Sequence, residues 1–126
     1  MTKSLKIYVA GPYTANTIDQ IEKNVNVAID AAFKIFSKGH FPYIPHLTHF
    51  VDRRAKDTGV NLQWEDYIRW DMVWVETCDA LLYLNSSRGA DIELQAAKRL
   101  GKQIFCSVDE IPCATNVSMS IVKCTP

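Results

Sequence analysis

Four short apolar runs punctuate the chain, and each of the spacers between them carries a helical rhythm. Leu5 to Ala10 (LKIYVA) is short and partly β-branched and stops at Gly11-Pro12, as a strand running into a loop does. From Asp19 to Ser37, apolar residues fall at Ile21, Val25, Ala28, Ile29, Ala32, Phe33 and Phe36. That spacing predicts a helix, with Gly39 suited to its C-terminus. Phe41 to Pro45 (FPYIP) is a second short strand. Residues 46 to 62 are polar with little period and predict an irregular loop containing Gly59.

The rhythm returns at Leu62 to Glu76, which predicts a helix through Tyr67, Ile68, Met72 and Val75. Asp79 to Leu84 (DALLYL) is almost wholly apolar after its aspartate and predicts a central strand. Asn85 to Gly89 is a turn, Ala90 to Leu100 a helix ended by Gly101, and Gln103 to Val108 (QIFCSV) a fourth strand. Ile121 and Val122 suit a short edge element. Strands alternating with helices predict an α/β three-layer sandwich of Rossmann-like or flavodoxin-like kind, with a mostly parallel sheet of four to five strands. In such sheets ligands bind beyond the carboxyl ends of the strands, where strand order reverses. The loops at 11–17, 45–50 and 85–89 all follow strands and are expected to meet there.

At 126 residues the chain suits one domain, 1–126. Lys plus Arg equals Asp plus Glu, 14 each, so the basic footprint of a nucleic-acid binder is missing. No apolar run approaches the roughly 18 residues of a membrane span. The first apolar run reaches a polar loop at Gly11, too early for a signal peptide, so a cytoplasmic protein is expected. None of the four cysteines forms a C-x-x-C pair. Cys113 and Cys124 leave a bridge open, but reduced thiols are the expectation.

Four stretches carry candidate chemistry. GPYTANT (residues 11–17) leads into a helix N-terminus, whose free N–H groups suit an anion, with Thr14, Asn16 and Thr17 as side-chain donors. It is neither a Walker loop nor a dinucleotide fingerprint. An ordinary capped helix start fits it equally well. In SSRGADIELQAAKRLGK, Glu93 has Ala90, Ala96 and Ala97 as its helical neighbours, which suits a carboxylate facing a crevice. The plainer alternative is an acidic residue complementing the helix dipole. Asp71 shares a helical face with Trp64, Tyr67 and Ile68. An inward carboxylate is costly unless it is bonded, and a bond to loop backbone is the rival explanation. His46, His49 and Asp52 invite a metal, yet their spacing matches no known site, and lining a pocket or anchoring a loop fits the histidines better.

Taken in order, IYVAGPY, PYIPH, the aromatic-flanked WD, CDALLYL, SRGADIE and AKRLGK are similar to the nucleoside 2-deoxyribosyltransferase superfamily, over roughly residues 5 to 108. The similarity is strongest to its small branch near the nucleoside 5′-monophosphate N-glycosidases. It implies that Glu93 is the nucleophile that attacks the anomeric carbon, that Tyr8 orients Glu93, and that Asp71 contacts the sugar or the nucleophile. It implies a less defined catalytic part for Asp79. It places substrate contacts at Gly11, Pro12, Tyr13, Thr14, His46, Ser86, Ser87 and Gly89. Ser87 falls where the monophosphate hydrolases carry a phosphate-binding serine, and Asn85 to Arg88 is neutral to basic where the transferases are acidic.

No acid for the leaving base matches at 85–88, which leaves Asp71, Asp79, a histidine of the 46–49 loop, or water. The resemblance implies a hydrolase or transferase acting on a nucleoside or nucleotide. It implies no cofactor and no metal, a small-molecule partner rather than nucleic acid or membrane, and a homo-oligomer. Two alternatives remain, a nucleotide-sensing module with little turnover and a glycohydrolase of NAD- or ADP-ribose-type ligands.

Overall fold

The computed structural model describes residues 3–115. Strands β1 (Lys6–Ala10), β2 (Phe41–Tyr43), β3 (Ala80–Tyr83) and β4 (Gln103–Phe105) form one sheet in the order β2-β1-β3-β4. Every pairing is parallel. Helices α1 (Ile18–Ser37), α2 (Thr48–Thr58), α3 (Trp64–Thr77) and α4 (Arg88–Arg99) lie in the connections. The expected α/β layering therefore holds, with four strands among the described residues. The proposed element at Ile121 and Val122 lies outside them.

The pleat of β1 sorts its side chains into two cores. Ile7 and Val9 pack with Ala28, Ala31 and Ile35 of α1. Tyr8 and Ala10 point the other way, into the layer made by Val75 of α3 and Ala90, Ala96 and Ala97 of α4. In β3, Leu82 joins the first core and Leu81 the second. Both leucines are essentially inaccessible, and each such burial stabilises the fold by about 1.5–3 kcal/mol. The alternation leaves Tyr8 as the one polar-tipped side chain that β1 sends towards α4.

Helix starts follow their caps. Thr17 Oγ1 accepts the Gln20 N–H to open α1, and Ser87 Oγ accepts the Ala90 N–H to open α4. At α3, Gln63 and Asp66 form a reciprocal capping box. The 46–62 stretch departs from the expected irregular loop. One 3-10 turn at Pro45–Leu47 passes directly into α2, which ends at Gly59 with a left-handed φ of 75°. Only His49 and Ala55 of α2 are buried, so its sequence lacks the apolar stripe that reveals a packed helix.

Asp79, for which the family resemblance implied a loosely defined catalytic part, does not line the cavity at the strand-end loops. It sits at the amino end of β3, where its Oδ2 accepts the Lys6 N–H at 2.9 Å and its own N–H donates to the Lys6 carbonyl. It pins the register of β1 against β3, at the opposite end of the sheet from the strand-end loops. The expectation of reduced thiols is also corrected in part: Cys113 is disulfide-bonded, while Cys78 and Cys106 are free. Among the described residues no helix is long and apolar enough to cross a membrane.

Candidate active site

Strand order reverses between β1 and β3. The connection from β1 through α1 turns to one side, towards β2, and that from β3 through α4 turns to the other, towards β4. The loops leaving these two central strands therefore part and leave a crevice. At its base Gly11 passes so close to β3 that a Cβ there would meet the Leu84 Cβ at 3.1 Å, which explains the glycine. A cavity of about 740 Å³ opens above, within the size range of small-molecule sites. The β1 loop, the Pro45–Leu47 turn, α2, the inward face of α3 and the start of α4 line it.

Glu93 sits on its floor, 4% exposed, with small alanines of α4 around it. It is not the acidic residue that complements the helix dipole. Asp91 occupies the first turn instead, accepting hydrogen bonds from the hydroxyls of Tyr83 and Ser86 at 2.6 and 2.8 Å. Tyr8 Oη donates to Glu93 Oε2 at 2.5 Å, across 85 residues of sequence. Burial, and then the negative charges of Glu93 and Asp71, push the Tyr8 hydroxyl well above its ordinary range, so it stays a donor.

Asp71 completes the cluster from α3. It is 8% exposed, and its Oδ1 meets no protein donor among the described residues. Burial of both carboxyl groups, and the charge of Asp71 beside Glu93, make it costly for both to ionise. Burial first pushes Glu93 up, to about 9, with the adjacent Asp71 charge adding to it and the Tyr8 hydrogen bond opposing it. Burial likewise pushes Asp71 up, to about 6, against hydrogen bonds with Glu93 and Tyr8. Tyr43 backs the cluster, its ring 5.6 Å from that of Tyr8 and stacked on Trp74 at 4.9 Å.

Of the expected substrate contacts, Gly11, Tyr13, Thr14, His46, Ser87 and Gly89 line the cavity. Pro12 and Ser86 do not, and the Ser86 hydroxyl is committed to Asp91. His46 is buried, with Nε2 donating to the Gly11 carbonyl at 3.1 Å. Burial lowers its pKa and keeps the ring neutral, against the carbonyls of Gly11 and Pro12, which favour the charged form. The trio that invited a metal has other engagements. His49 Nδ1 bonds the Tyr13 hydroxyl at 2.9 Å, and Asp52 binds Lys56 and accepts from the Tyr67 hydroxyl.

The face predicted from spacing, Trp64, Tyr67, Ile68 and Asp71, lies entirely on the cavity. Several lining groups had no such signal. Thr48, Asp52 and Lys56 line the cavity from one stripe of α2, and Arg88 lies 4.1 Å from the Trp64 ring centroid at the start of α4. An i, i+4, i+8 reading of the 46–62 segment marks that α2 stripe once a helix is assumed.

Residues 5–107 match the model of a family described as "Domain of unknown function (DUF7768)". No curated protein matches the sequence. Among solved structures, the chain is similar to a 2-desoxiribosyltransferase from Leishmania mexicana, with a TM-score of 0.52 and 21% identity. The overlap covers 79% of this chain and 61% of that one, so the chain spans under two thirds of that protein's length. At this identity the likeness carries the fold, in agreement with the layering expected from the sequence. The family match covers most of the chain, which therefore belongs to the DUF7768 family.

Proposed function

We propose that this protein cleaves the N-glycosidic bond of a nucleoside or nucleoside 5′-monophosphate through a glycosyl ester on Glu93. The observation that carries the proposal is the buried Tyr8–Glu93–Asp71 cluster on the floor of a cavity of nucleotide size. A carboxylate nucleophile beside a carboxylic acid is the pair that retaining glycosyl transfer needs. The fold shared with a 2-desoxiribosyltransferase is consistent with it.

With one proton on the pair, the productive arrangement places it on Asp71 and leaves Glu93 ionised. A Glu93 oxygen bonds to the anomeric carbon as the bond from that carbon to the base nitrogen breaks. The Asp71 proton passes to the departing base. Water then attacks the same carbon and gives a proton to Asp71, the ester bond breaks, and the Glu93 carboxylate returns. A second base in place of water makes the reaction a transfer. Tyr8 holds Glu93 in one rotamer and offers its hydrogen bond to the ionised form. Among the four candidates for the acid, Asp71 is favoured by its contact with Glu93, and Asp79 is disfavoured by its place at the far end of the sheet.

Ser87, Arg88 and Gly89 line the cavity at the start of α4, where free backbone N–H groups suit a 5′-phosphate. The test is chromatographic detection of free base from a panel of nucleosides and their 5′-monophosphates, with and without a second base. Release from monophosphates alone assigns a nucleotide hydrolase, and release that needs the second base assigns a transferase. No release from any member, with ligand-induced thermal stabilisation, contradicts an enzymatic role.

A further inference from the structure

We infer that Asp91 is a positioning residue for a phosphorylated ligand: held between Tyr83 and Ser86, it fixes the turn that presents Ser87, Arg88 and Gly89 to the cavity. The inference rests on the phosphate contact proposed for that turn, and not on the chemistry at Glu93.

The turn needs a brace. Between Leu84, which follows β3, and the buried Ala90, no side chain from Asn85 to Gly89 is buried, so packing does not fix it. Polar bonds do. Asn85 Oδ1 accepts the Ser86 N–H, and Ser87 Oγ accepts the Ala90 N–H. Asp91 supplies the link to the sheet. Its Oδ1 accepts from the hydroxyl of Tyr83, the last residue of β3, at 2.6 Å, and its Oδ2 accepts the Ser86 hydroxyl at 2.8 Å. One carboxylate thus joins strand, turn and helix. None of Tyr83, Ser86 and Asp91 lines the cavity, so the brace stands behind the turn. The Tyr83 hydroxyl, and then that of Ser86, hold the Asp91 carboxyl below its usual range, so it stays ionised and keeps accepting at neutral pH.

An acidic residue in a first helical turn complements the helix dipole by its charge alone. That role needs neither hydroxyl. The Asp91 charge also repels an anion, but it is partly exposed and screened by salt. What the turn shows the cavity suits the opposite sign. The N–H groups of Arg88 and Gly89, at the first two positions of α4, have no acceptor within the helix. The Arg88 guanidinium lies 4.1 Å from the Trp64 ring centroid and, among the described residues, forms no ion pair. Lys56, which also lines the cavity, is held by Asp52. A planar guanidinium and two N–H groups on a fixed turn suit a phosphate. On a loose turn the same donors have to be ordered first, at a cost in affinity.

Titration of the full chain with inorganic phosphate, followed at the Arg88 and Gly89 backbone amides by nuclear magnetic resonance, tests this without any turnover. Asp91→Asn removes the charge and keeps the size, and Tyr83→Phe removes one hydroxyl and keeps the charge. The wild type is expected to show saturable shifts at both amides, and both variants to raise the dissociation constant at least ~5-fold, with dispersed spectra showing an intact fold. Tighter binding by Asp91→Asn with Tyr83→Phe unchanged overturns the inference, because charge and not position then governs the turn. Equal constants in all three proteins overturn it too, even if the variants melt lower, by making the brace structural only. No shift in the wild type overturns it together with the phosphate contact. Failure of the glycosidase reading shows separately, as phosphate binding of the expected kind with no base released from any nucleoside or nucleotide.

Discussion

The hydroxyl of Tyr8 and the carboxylate of Glu93 meet at 2.5 Å, from the middle of the first strand and the second turn of the last described helix. One hydrogen bond thus ties the direction of Glu93, the proposed nucleophile, to the rigid centre of the sheet. Tyr8→Phe keeps the buried ring and removes only the donor. A hydrogen bond to a charged group contributes about 1.5–3 kcal/mol, so base release is expected to fall roughly 10- to 100-fold, with a drop of several degrees in melting temperature. Steady-state kinetics beside a thermal melt check this, and an unchanged rate removes Tyr8 from the mechanism.

In the proposed reaction, a proton shared by Glu93 and Asp71 sets the pH dependence of base release. The pair holds a single proton between the lower value, about 6, and the upper, about 9. A bell-shaped rate profile with limbs near those values is expected. Asp71→Asn removes one titrating group and its charge, so the remaining Glu93 titrates lower and the bell loses a limb. Loss of the acid is expected to slow base release about 10²- to 10⁴-fold, most for bases that leave poorly. A profile identical to wild type contradicts the shared proton.

Stability carries the same signature with a definite sign. Both carboxyls titrate higher in the folded protein than their ordinary values of 4.5 and 3.8. Between those values and the raised ones the folded state binds more protons than the unfolded chain. Their contribution is therefore present at pH 4 and lost as pH rises through about 6 and then about 9. Glu93→Gln is expected to flatten this decline and to melt higher than wild type at pH 9. Melting curves at pH 5, 7 and 9 check it, and parallel declines in the two proteins contradict it.

Much of this site was legible in the sequence because its members lie on strongly periodic segments. The helical spacing of Trp64, Tyr67, Ile68 and Asp71 predicts their common face, and the alanines around Glu93 predict its burial. Tyr8 was implied by the family resemblance alone, and the alternation of β1 shows why it faces α4. What sequence left hidden belongs to surfaces that do not pack. Helix α2 buries only His49 and Ala55, so no apolar stripe announces it, and its cavity-lining Lys56 looks like an ordinary surface charge. A catalytic part for Asp79 rested on the family resemblance alone, while in the structure it bonds Lys6 at the amino end of β3, away from the cavity.

Asp79 accordingly separates structure from chemistry. Asp79→Asn weakens the hydrogen bond to the Lys6 N–H and is expected to cost about 1 kcal/mol of stability while leaving kcat within twofold, or about 0.4 kcal/mol of barrier. Denaturant unfolding and initial rates on one preparation check both halves. A large loss of kcat without a loss of stability gives Asp79 a chemical part after all.

The central claim is the covalent ester on Glu93, and intact-protein mass spectrometry after rapid acid quench measures it directly. During turnover of a releasing substrate, the wild type is expected to gain the mass of the sugar moiety, mapped by peptide digestion to Glu93, and Glu93→Gln to gain nothing and release no base. Base release by Glu93→Gln at the wild-type rate, or an adduct mapped to another residue, contradicts the account.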